Sequence, residues 1–337
     1  MITKPKLFRI FFIFSLGFLT FPARSLAHIG YVVPKDEIGK HAGHDFSFLF
    51  SVLTEPFNIF LTIGTIAVTT TIYFLLRKSS FFTKNVAVVK ARTKSYFELT
   101  SWMMRLGLGI ALIGAGTMSA LISPILSDFP QFSFIQILLG FLFLSGFLLT
   151  PATLLVIFLF LFAILKNFYL FGNADFIALA IALLITANPK PGLDDLFGLP
   201  FFSPLKSFKE WAPLVLRVGI GGAMMFLAVY EKFLNPHLSQ LVVENYQLAS
   251  IIPVSAGMWV LSAGLIEFAV GLALLIGFQT RLAAVIAFSV LSLSFFYFHE
   301  AVYSHITLFT VLSILFVTGG GKLSVDKFVD KHTGNSL

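Results

Sequence analysis

The chain has 337 residues, of which 57% are hydrophobic and only 12% charged, and its mean hydropathy is +0.92. This composition is too apolar for a domain that faces water on all sides, so it indicates a protein that lies in lipid. The absence of cysteine excludes disulfides, thiolate metal sites and dithiol exchange, and the net charge of +7 comes from short basic clusters beside apolar runs, which argues against nucleic acid as a partner.

Residues 1–27 have the pattern of a cleavable signal peptide. A basic start is followed by the apolar residues 10–21, by Pro22 and by the small-residue site Ser25-Leu26-Ala27. Cleavage there makes His28 the first residue of the mature chain. The alternative is an uncleaved first helix.

Nine apolar runs follow in the mature chain, each about as long as a helix that crosses a bilayer. They are residues 54–76, 98–123, 132–150, 152–168, 170–187, 213–231, 256–277, 281–298 and 302–318. A helix satisfies its own backbone hydrogen bonds, which lipid cannot do. The sequence therefore predicts an all-α, polytopic membrane protein with about nine spans.

The loop cations predict the orientation of these spans. With the mature N-terminus outside, Lys and Arg concentrate in the inner segments 77–97 and 188–212 and in the C-terminal tail, whereas the outer segments offer mainly Lys232. Because positive loops stay in the cytoplasm, we expect the N-terminus outside, the C-terminus inside, and a location in the inner (plasma) membrane.

A shift of 131 residues predicts an internal repeat. It places Gln136, Gly140 and Gly146 on Glu267, Gly271 and Gly277, and Asp195 on Asp326, while Arg105 matches Arg217 at a shift of 112. We therefore expect one leader span and two tandem four-helix units. The predicted segments are an external polar segment (28–53), a leader helix with a cytoplasmic basic loop (54–97), the first unit (98–196), a cytoplasmic linker (197–211), the second unit (212–328) and a cytoplasmic tail (329–337).

The second unit carries recognisable motifs. Its first helix opens with Leu216-Arg217-Val218-Gly219 and closes with Tyr230-Glu231-Lys232-Phe233; a long motif then runs from Glu267 to Ala284, and Gly319 to Asp326 follows the last helix. With these motifs, residues 212–328 resemble the DoxX family of four-helix membrane proteins. The first unit resembles a diverged copy, with Gln136 in place of Glu267 and no counterpart of Glu231-Lys232.

This resemblance implies a membrane protein tied, in some members, to respiratory or quinone-linked oxidoreduction, including a thiosulfate to quinone enzyme. A quinone is then the implied cofactor, and the lipid bilayer and other membrane redox subunits are the implied partners. Whether the chain is itself an enzyme stays open. The alternatives are a transporter of a small solute or a metal, and a structural membrane subunit without its own chemistry.

Glu267 is the strongest candidate for chemistry because it lies near the middle of its span. A charged carboxylate there costs roughly 2.5 to 3.5 kcal/mol, so we expect a partner or a proton. Arg217, on the preceding helix, is the predicted partner. The alternatives are a structural carboxyl for Glu267 and an arginine that reaches the inner headgroups for Arg217.

Two further groups of polar residues fall on the predicted outer side. Glu231, Lys232, His299 and His305 border the outer ends of the spans, together with Glu300, and could bind a cofactor. His28, His41 and His44 could hold Cu(II), because a free α-amino group beside imidazoles suits that ion. A solvated loop is the alternative for these histidines. The apolar loop 233–254 is expected to form an interfacial helix or a lid over the second unit.

Overall fold

The computed structural model of this protein describes residues 43–45, 47–60, 62–64, 67, 71, 79–186, 188–199, 205–298 and 300–333. Helices account for most of this part of the chain, and it contains no strand. The predicted all-α class is confirmed for the residues described. The predicted signal peptide lies outside them.

Seven α-helices lie before the linker in the part of the chain that the structure describes. They are α1 (Ser47–Leu53), α2 (Ser80–Thr93), α3 (Thr100–Thr117), α4 (Ser133–Ser145), α5 (Leu149–Lys166), α6 (Ala174–Thr186) and α7 (Leu193–Leu196). Short 3₁₀ segments join several of them, among them Phe168–Asn173 before α6. A 3₁₀ turn is wound more tightly than an α-helical turn and often connects two α-helices.

The second half begins with α8 (Ala212–Leu227), which continues as a π-helix over Ala228–Leu234. The later helices are α9 (Pro236–Asn245), α10 (Leu248–Ile251), α11 (Ala256–Ile276), α12 (Thr280–Phe298), α13 (Val302–Thr318) and α14 (Val325–Thr333). The expected helix in the loop 233–254 is therefore present as α9 and α10.

Six described helices are long and apolar enough to cross a membrane, and two more are apolar but shorter. The six are Ala87–Thr117, Leu149–Lys166, Phe168–Thr186, Ser207–Leu234, Ala256–Ile276 and Thr280–Phe298, and the shorter two are Pro130–Ser145 and Val302–Thr318. Eight predicted runs thus have an apolar helix, while 11 of the 23 residues of the run 54–76 lie outside the described residues. The count of nine spans and the orientation stay predictions.

The run 98–123 was expected to be helical to its end, but the helix stops at Thr117. The apolar residues beyond it form a compact loop that buries Leu121 and Ile122. The loop is held by Gln136, whose amide donates to the carbonyl of Ala120 and accepts from the N–H of Ile122, both at 2.8 Å. A carboxylate in place of Gln136 cannot donate to that carbonyl.

The two halves pack against each other through long interfaces. Helix α3 packs on α4 and on α13, while α8 packs on α11 and on α6. The pairs α3 with α13 and α6 with α8 join the predicted first unit to the second. One hydrophobic core consequently runs through both halves.

Glycines allow the closest helix pairs to form. A methyl group built on Gly221 of α8 would lie 2.6 Å from the carbonyl oxygen of Gly271 in α11, and one on Gly109 would lie 2.9 Å from that of Gly140. Small residues let helix backbones approach in this way in membranes.

We expect Gly221→Ala to lower the free energy of unfolding by about 1 to 3 kcal/mol, because the added methyl group overpacks a backbone contact. Gly222→Ala is the matched control, since its methyl group meets nothing closer than 4.0 Å. At Gly222 the substitution should therefore raise the free energy of unfolding by about 1 kcal/mol, because alanine favours a helix more than glycine does. Denaturation in detergent, followed by circular dichroism, measures both; equal stabilities for the two variants would contradict close packing at Gly221.

Each half is closed by a buried arginine that binds backbone carbonyls. Arg217, which is 0% exposed, donates to the carbonyls of Leu275, Lys322 and Leu323 at 2.8 to 3.3 Å. Arg105, which is 1% exposed, donates to the carbonyls of Pro189 and Pro191 at 2.7 and 2.5 Å. In both halves the guanidinium binds the chain just after a long helix, which is α6 in the first half and α13 in the second.

An aspartate caps α5 in the first half, and another caps α12 in the second half in the same way. Asp326 accepts from the backbone N–H groups of Gln279 and Thr280, at 2.7 and 2.9 Å. Asp194 accepts from those of Leu148 and Leu149, at 2.8 and 2.9 Å. Such caps satisfy donors that the first helical turn leaves open. The sequence shift had matched Asp326 with Asp195 instead, and this was wrong by one residue.

Asp195 has a different role from its neighbour. It is exposed and lies 3.7 Å from the ammonium of Lys190. The capping aspartate lies 45 residues after the start of its helix in the first half (149 to 194) and 46 residues after it in the second (280 to 326), so an alignment without gaps selects the neighbour of the capping residue.

Candidate functional site

Three charged side chains meet inside the second half. The ammonium of Lys232 lies 2.7 Å from the carboxylate of Glu231 and 2.8 Å from that of Glu267. The hydroxyl of Tyr169 donates to the other oxygen of Glu231. Glu231, Lys232 and Glu267 are called the carboxylate–lysine network below.

The π-helix makes this network possible. Adjacent residues do not share a face in an α-helix, yet Glu231 and Lys232 are adjacent and both turn inward. The wider π turn leaves backbone carbonyls open, and polar side chains bind them. Ser239 donates to the carbonyl of Glu231 at 3.0 Å, and Asn235 donates to that of Tyr230 at 2.8 Å.

The network is well shielded from solvent. The side chains of Glu231, Lys232 and Glu267 are 2%, 17% and 22% exposed. With both carboxylates ionised, the network carries one net negative charge. Lysine has three N–H donors, and the two carboxylates use two of them, so one remains for an acceptor on a ligand.

A cavity of about 530 Å³ adjoins the network. Its walls are apolar side chains of α8, α11, α12 and α13, and α9 covers one side with Val242 and Val243. Trp259 also lines it and donates its indole N–H to the carbonyl of Ile252 at 3.1 Å. Concave apolar sites with a few convergent polar groups are where lipophilic ligands bind in proteins.

A second polar cluster reaches the same cavity. Its lining residues are Asp175, Glu300 and His305, and the imidazole Nε2 of His305 lies 3.0 Å from a carboxylate oxygen of Glu300. Asp175 belongs to α6, so the first half supplies part of this wall. These residues lie where α6 and α13 begin and α8 ends, which is the end of the bundle that carries α9.

The segment before α1 holds the covering helix in place. The N–H of Asp45 donates to the carbonyl of Leu234 at 3.1 Å, and its carboxylate lies 3.1 Å from Nε2 of His237 in α9. Hydrogen bonds from Ser47, chiefly from its hydroxyl, lower the pKa of Asp45 below its ordinary value. Phe48 packs nearby against Val243. These contacts tie α9 to the segment before α1.

Arg217 and Glu267 do not meet, so the predicted pair is wrong. Helical side chains lean toward the N-terminus of their own helix, which takes the guanidinium of Arg217 away from the middle of the bundle. It reaches the carbonyls at the end of α11 and beyond α13 instead. Glu267 has Lys232 as its partner.

The structure brings together four of the predicted site residues. Glu231, Lys232, Glu267 and His305 line the same cavity. His299, named with them as a cofactor ligand, lies outside the described residues. The sequence analysis did not name Tyr169 or Asp175 as site residues. Asp175 could have been found, because it is an acidic residue inside the apolar run 170–187, as Glu267 is inside the run 256–277.

The predicted copper site is described only at His44, which is exposed. His28 and His41 lie outside the described residues. Within the described part, no group of three or more metal-ligating side chains is arranged around a common point. The copper site stays a prediction.

Comparison with known proteins agrees with the resemblance of the second half. The DoxX family model matches residues 212–300, which run from the start of α8 past the end of α12. This range includes the whole carboxylate–lysine network. No curated protein and no solved structure matches the chain.

Proposed function

We propose that this chain, a DoxX-like integral membrane protein, binds a quinone-type molecule in its cavity as a subunit of a respiratory redox process. The observation that carries the proposal is the free N–H donor of Lys232 at the polar end of an apolar cavity. A quinone combines carbonyl acceptors with an apolar body. In the lining, Lys232 can donate to the carbonyl acceptors, and the apolar side chains can surround the apolar body.

The architecture around the site is part of the proposal. We infer two tandem four-helix units, 98–196 and 212–328, because Arg105 and Arg217 each bind a carbonyl in the loop after the last long helix of their half, at Pro191 and Lys322. The signal peptide, the nine spans, the outer N-terminus and the inner (plasma) membrane location follow from the sequence alone. In that orientation the cavity lies near the outer face.

A quinone titration tests the proposal. Decylubiquinone added to the protein in detergent should quench the fluorescence of Trp259 saturably, because that indole lines the cavity. The variant Trp259→Phe identifies the signal. The double variant Lys232→Met/Glu267→Gln removes the donor but keeps the net charge of the network, and it should weaken binding about tenfold to a hundredfold, the value of one hydrogen bond to a charged group.

Lys166→Met is the control for the loss of a lysine, since Lys166 is exposed and lies over the ring of Phe162. It should bind the quinone as the wild type does. Unsaturable quenching, or equal affinities for the wild type and the double variant, would count against a quinone site at Lys232.

The two alternative functions would give different experimental results. Solute flux in liposomes that disappears in Glu267→Gln would favour a transporter. Retention of a partner subunit, with blank quinone and flux assays, would favour a structural role.

A further inference from the structure

The cluster of Asp175, Glu300 and His305 contains more carboxyl groups than cations. The protons on His305 can be located from its neighbours. The hydroxyl of Ser304 donates its one hydrogen to the carbonyl of Ala301 at 2.7 Å. Its oxygen lies 2.9 Å from Nδ1 of His305, so with the hydroxyl hydrogen on the carbonyl of Ala301 we assign that nitrogen as the donor.

The other ring nitrogen, Nε2, lies 3.0 Å from a carboxylate oxygen of Glu300. Within the described part of the chain no donor reaches that oxygen in hydrogen-bond geometry, so the two atoms form an ion-pair contact only. The ring carries at most one positive charge, and as an imidazolium it lies beside Glu300, which offsets that charge. It therefore has no positive charge left over for another carboxylate.

Among the described residues, no other cation balances Asp175. It is 2% exposed, and it accepts hydrogen bonds from the hydroxyl of Thr307 and from the backbone N–H groups of Asp175 and Phe176, with His305 nearby. Within the described part of the chain, no donor reaches its oxygen Oδ2. Ionised carboxylates are costly in such surroundings unless they are paired and fully hydrogen-bonded.

The other charged groups around α6 do not change this balance. Arg105 of α3 and Arg217 of α8 bind backbone carbonyls at the opposite end of the bundle, at Pro189 and Lys322, and the charged segment Lys206–Trp211 precedes α8 at that same end. The π-helix after α8 and the helix α11 contribute the carboxylate–lysine network, which is negative by one charge when both carboxylates are ionised. Helix α5 contributes Lys166, which is exposed. The cavity is thus bordered by two clusters, each with two carboxyl groups and one cation.

We propose that Asp175 is held in its protonated form and that, with the Glu300–His305 pair, it is the proton donor for a ligand bound in the cavity. The first part stands on the geometry of this cluster, and the second rests on the proposed function. In the transfer, the O–H bond of Asp175 breaks and a bond forms between the proton and an anionic oxygen on the headgroup of the ligand. The carboxylate that remains lies near the imidazole of His305.

Infrared spectroscopy of the ligand-free protein tests the first part. A protonated carboxyl has its own C=O stretching band, and Asp175→Asn should remove one such band at neutral pH. Asp128→Asn, which changes an exposed aspartate outside the cavity, should leave the band unchanged. Asparagine is a neutral group of the same shape, so we expect Asp175→Asn to fold and melt as the wild type does. An unchanged band in the folded variant would show that Asp175 is ionised.

Lapachol, a 2-hydroxynaphthoquinone with an apolar chain, tests the second part because its anionic and neutral forms absorb differently. Bound to the wild type, the anion should adopt the spectrum of the neutral form; bound to Asp175→Asn, it should stay anionic. Binding without the spectral change would overturn the donor role. Absence of binding would overturn the quinone site itself, while the infrared result would still decide the protonation of Asp175.

Discussion

Lys232→Met should destabilise the protein by about 3 to 5 kcal/mol, because it leaves two carboxylates together without their cation. One of them, Glu231, is almost fully buried. Glu267→Gln should cost less, since Lys232 keeps Glu231 as a partner. In the double variant Lys232→Met/Glu267→Gln one carboxylate remains, still bonded to Tyr169, so the loss should be smaller than for Lys232→Met alone.

Unfolding of the purified protein in detergent measures these free energies, and Lys166→Met is the matched control because it removes an exposed lysine. The coupling between Lys232 and Glu267, obtained from the double-mutant cycle, should exceed about 1 kcal/mol. A Lys232→Met variant within about 0.5 kcal/mol of the wild type would show that the network holds no buried charge that needs the lysine.

Arg217→Met should have an effect of similar size for a different reason. It leaves three backbone carbonyl oxygens without the buried guanidinium that binds them, and each such group that stays buried and unsatisfied costs about 1 to 3 kcal/mol. Arg217→Lys should recover only part of this loss, since an ammonium on a flexible stem cannot reproduce the planar fork of the guanidinium. Arg105→Met is the matched test in the first half, and we expect a smaller loss because Arg105 binds two carbonyls.

The same measurements separate Arg217 from Glu267. Because the two side chains bind different partners, the losses of Arg217→Met and Glu267→Gln should add within about 0.5 kcal/mol. A clearly larger coupling would mean that the two residues meet in the membrane-embedded protein.

The sequence predicted the helices well because apolar length is a local property. It also pointed to Glu267, since a carboxyl in a long apolar run is conspicuous by itself. The partner of Glu267 was not predictable in this way. Lys232 reaches it from a π-helix, and nothing in the sequence Tyr230-Glu231-Lys232 distinguishes a π turn from an α turn.

Contacts between distant segments were the other limit. Tyr169 binds Glu231 across 62 residues, and that contact depends on how α6 packs on α8. The aligned residues Gln136 and Glu267 show the same limit. Gln136 is used as one donor and one acceptor for a single loop, a role that the alignment with an acid could not suggest.

Part of the cavity wall comes from the first half of the chain, and this matters for the interpretation of sequence variants. The family match begins at residue 212, whereas Tyr169 and Asp175 precede it. A substitution at either residue would be classed as distant from the matched domain, yet it changes a group that contacts or lines the site. A single-domain relative that lacks this first half has to supply equivalent groups from another polypeptide or do without them.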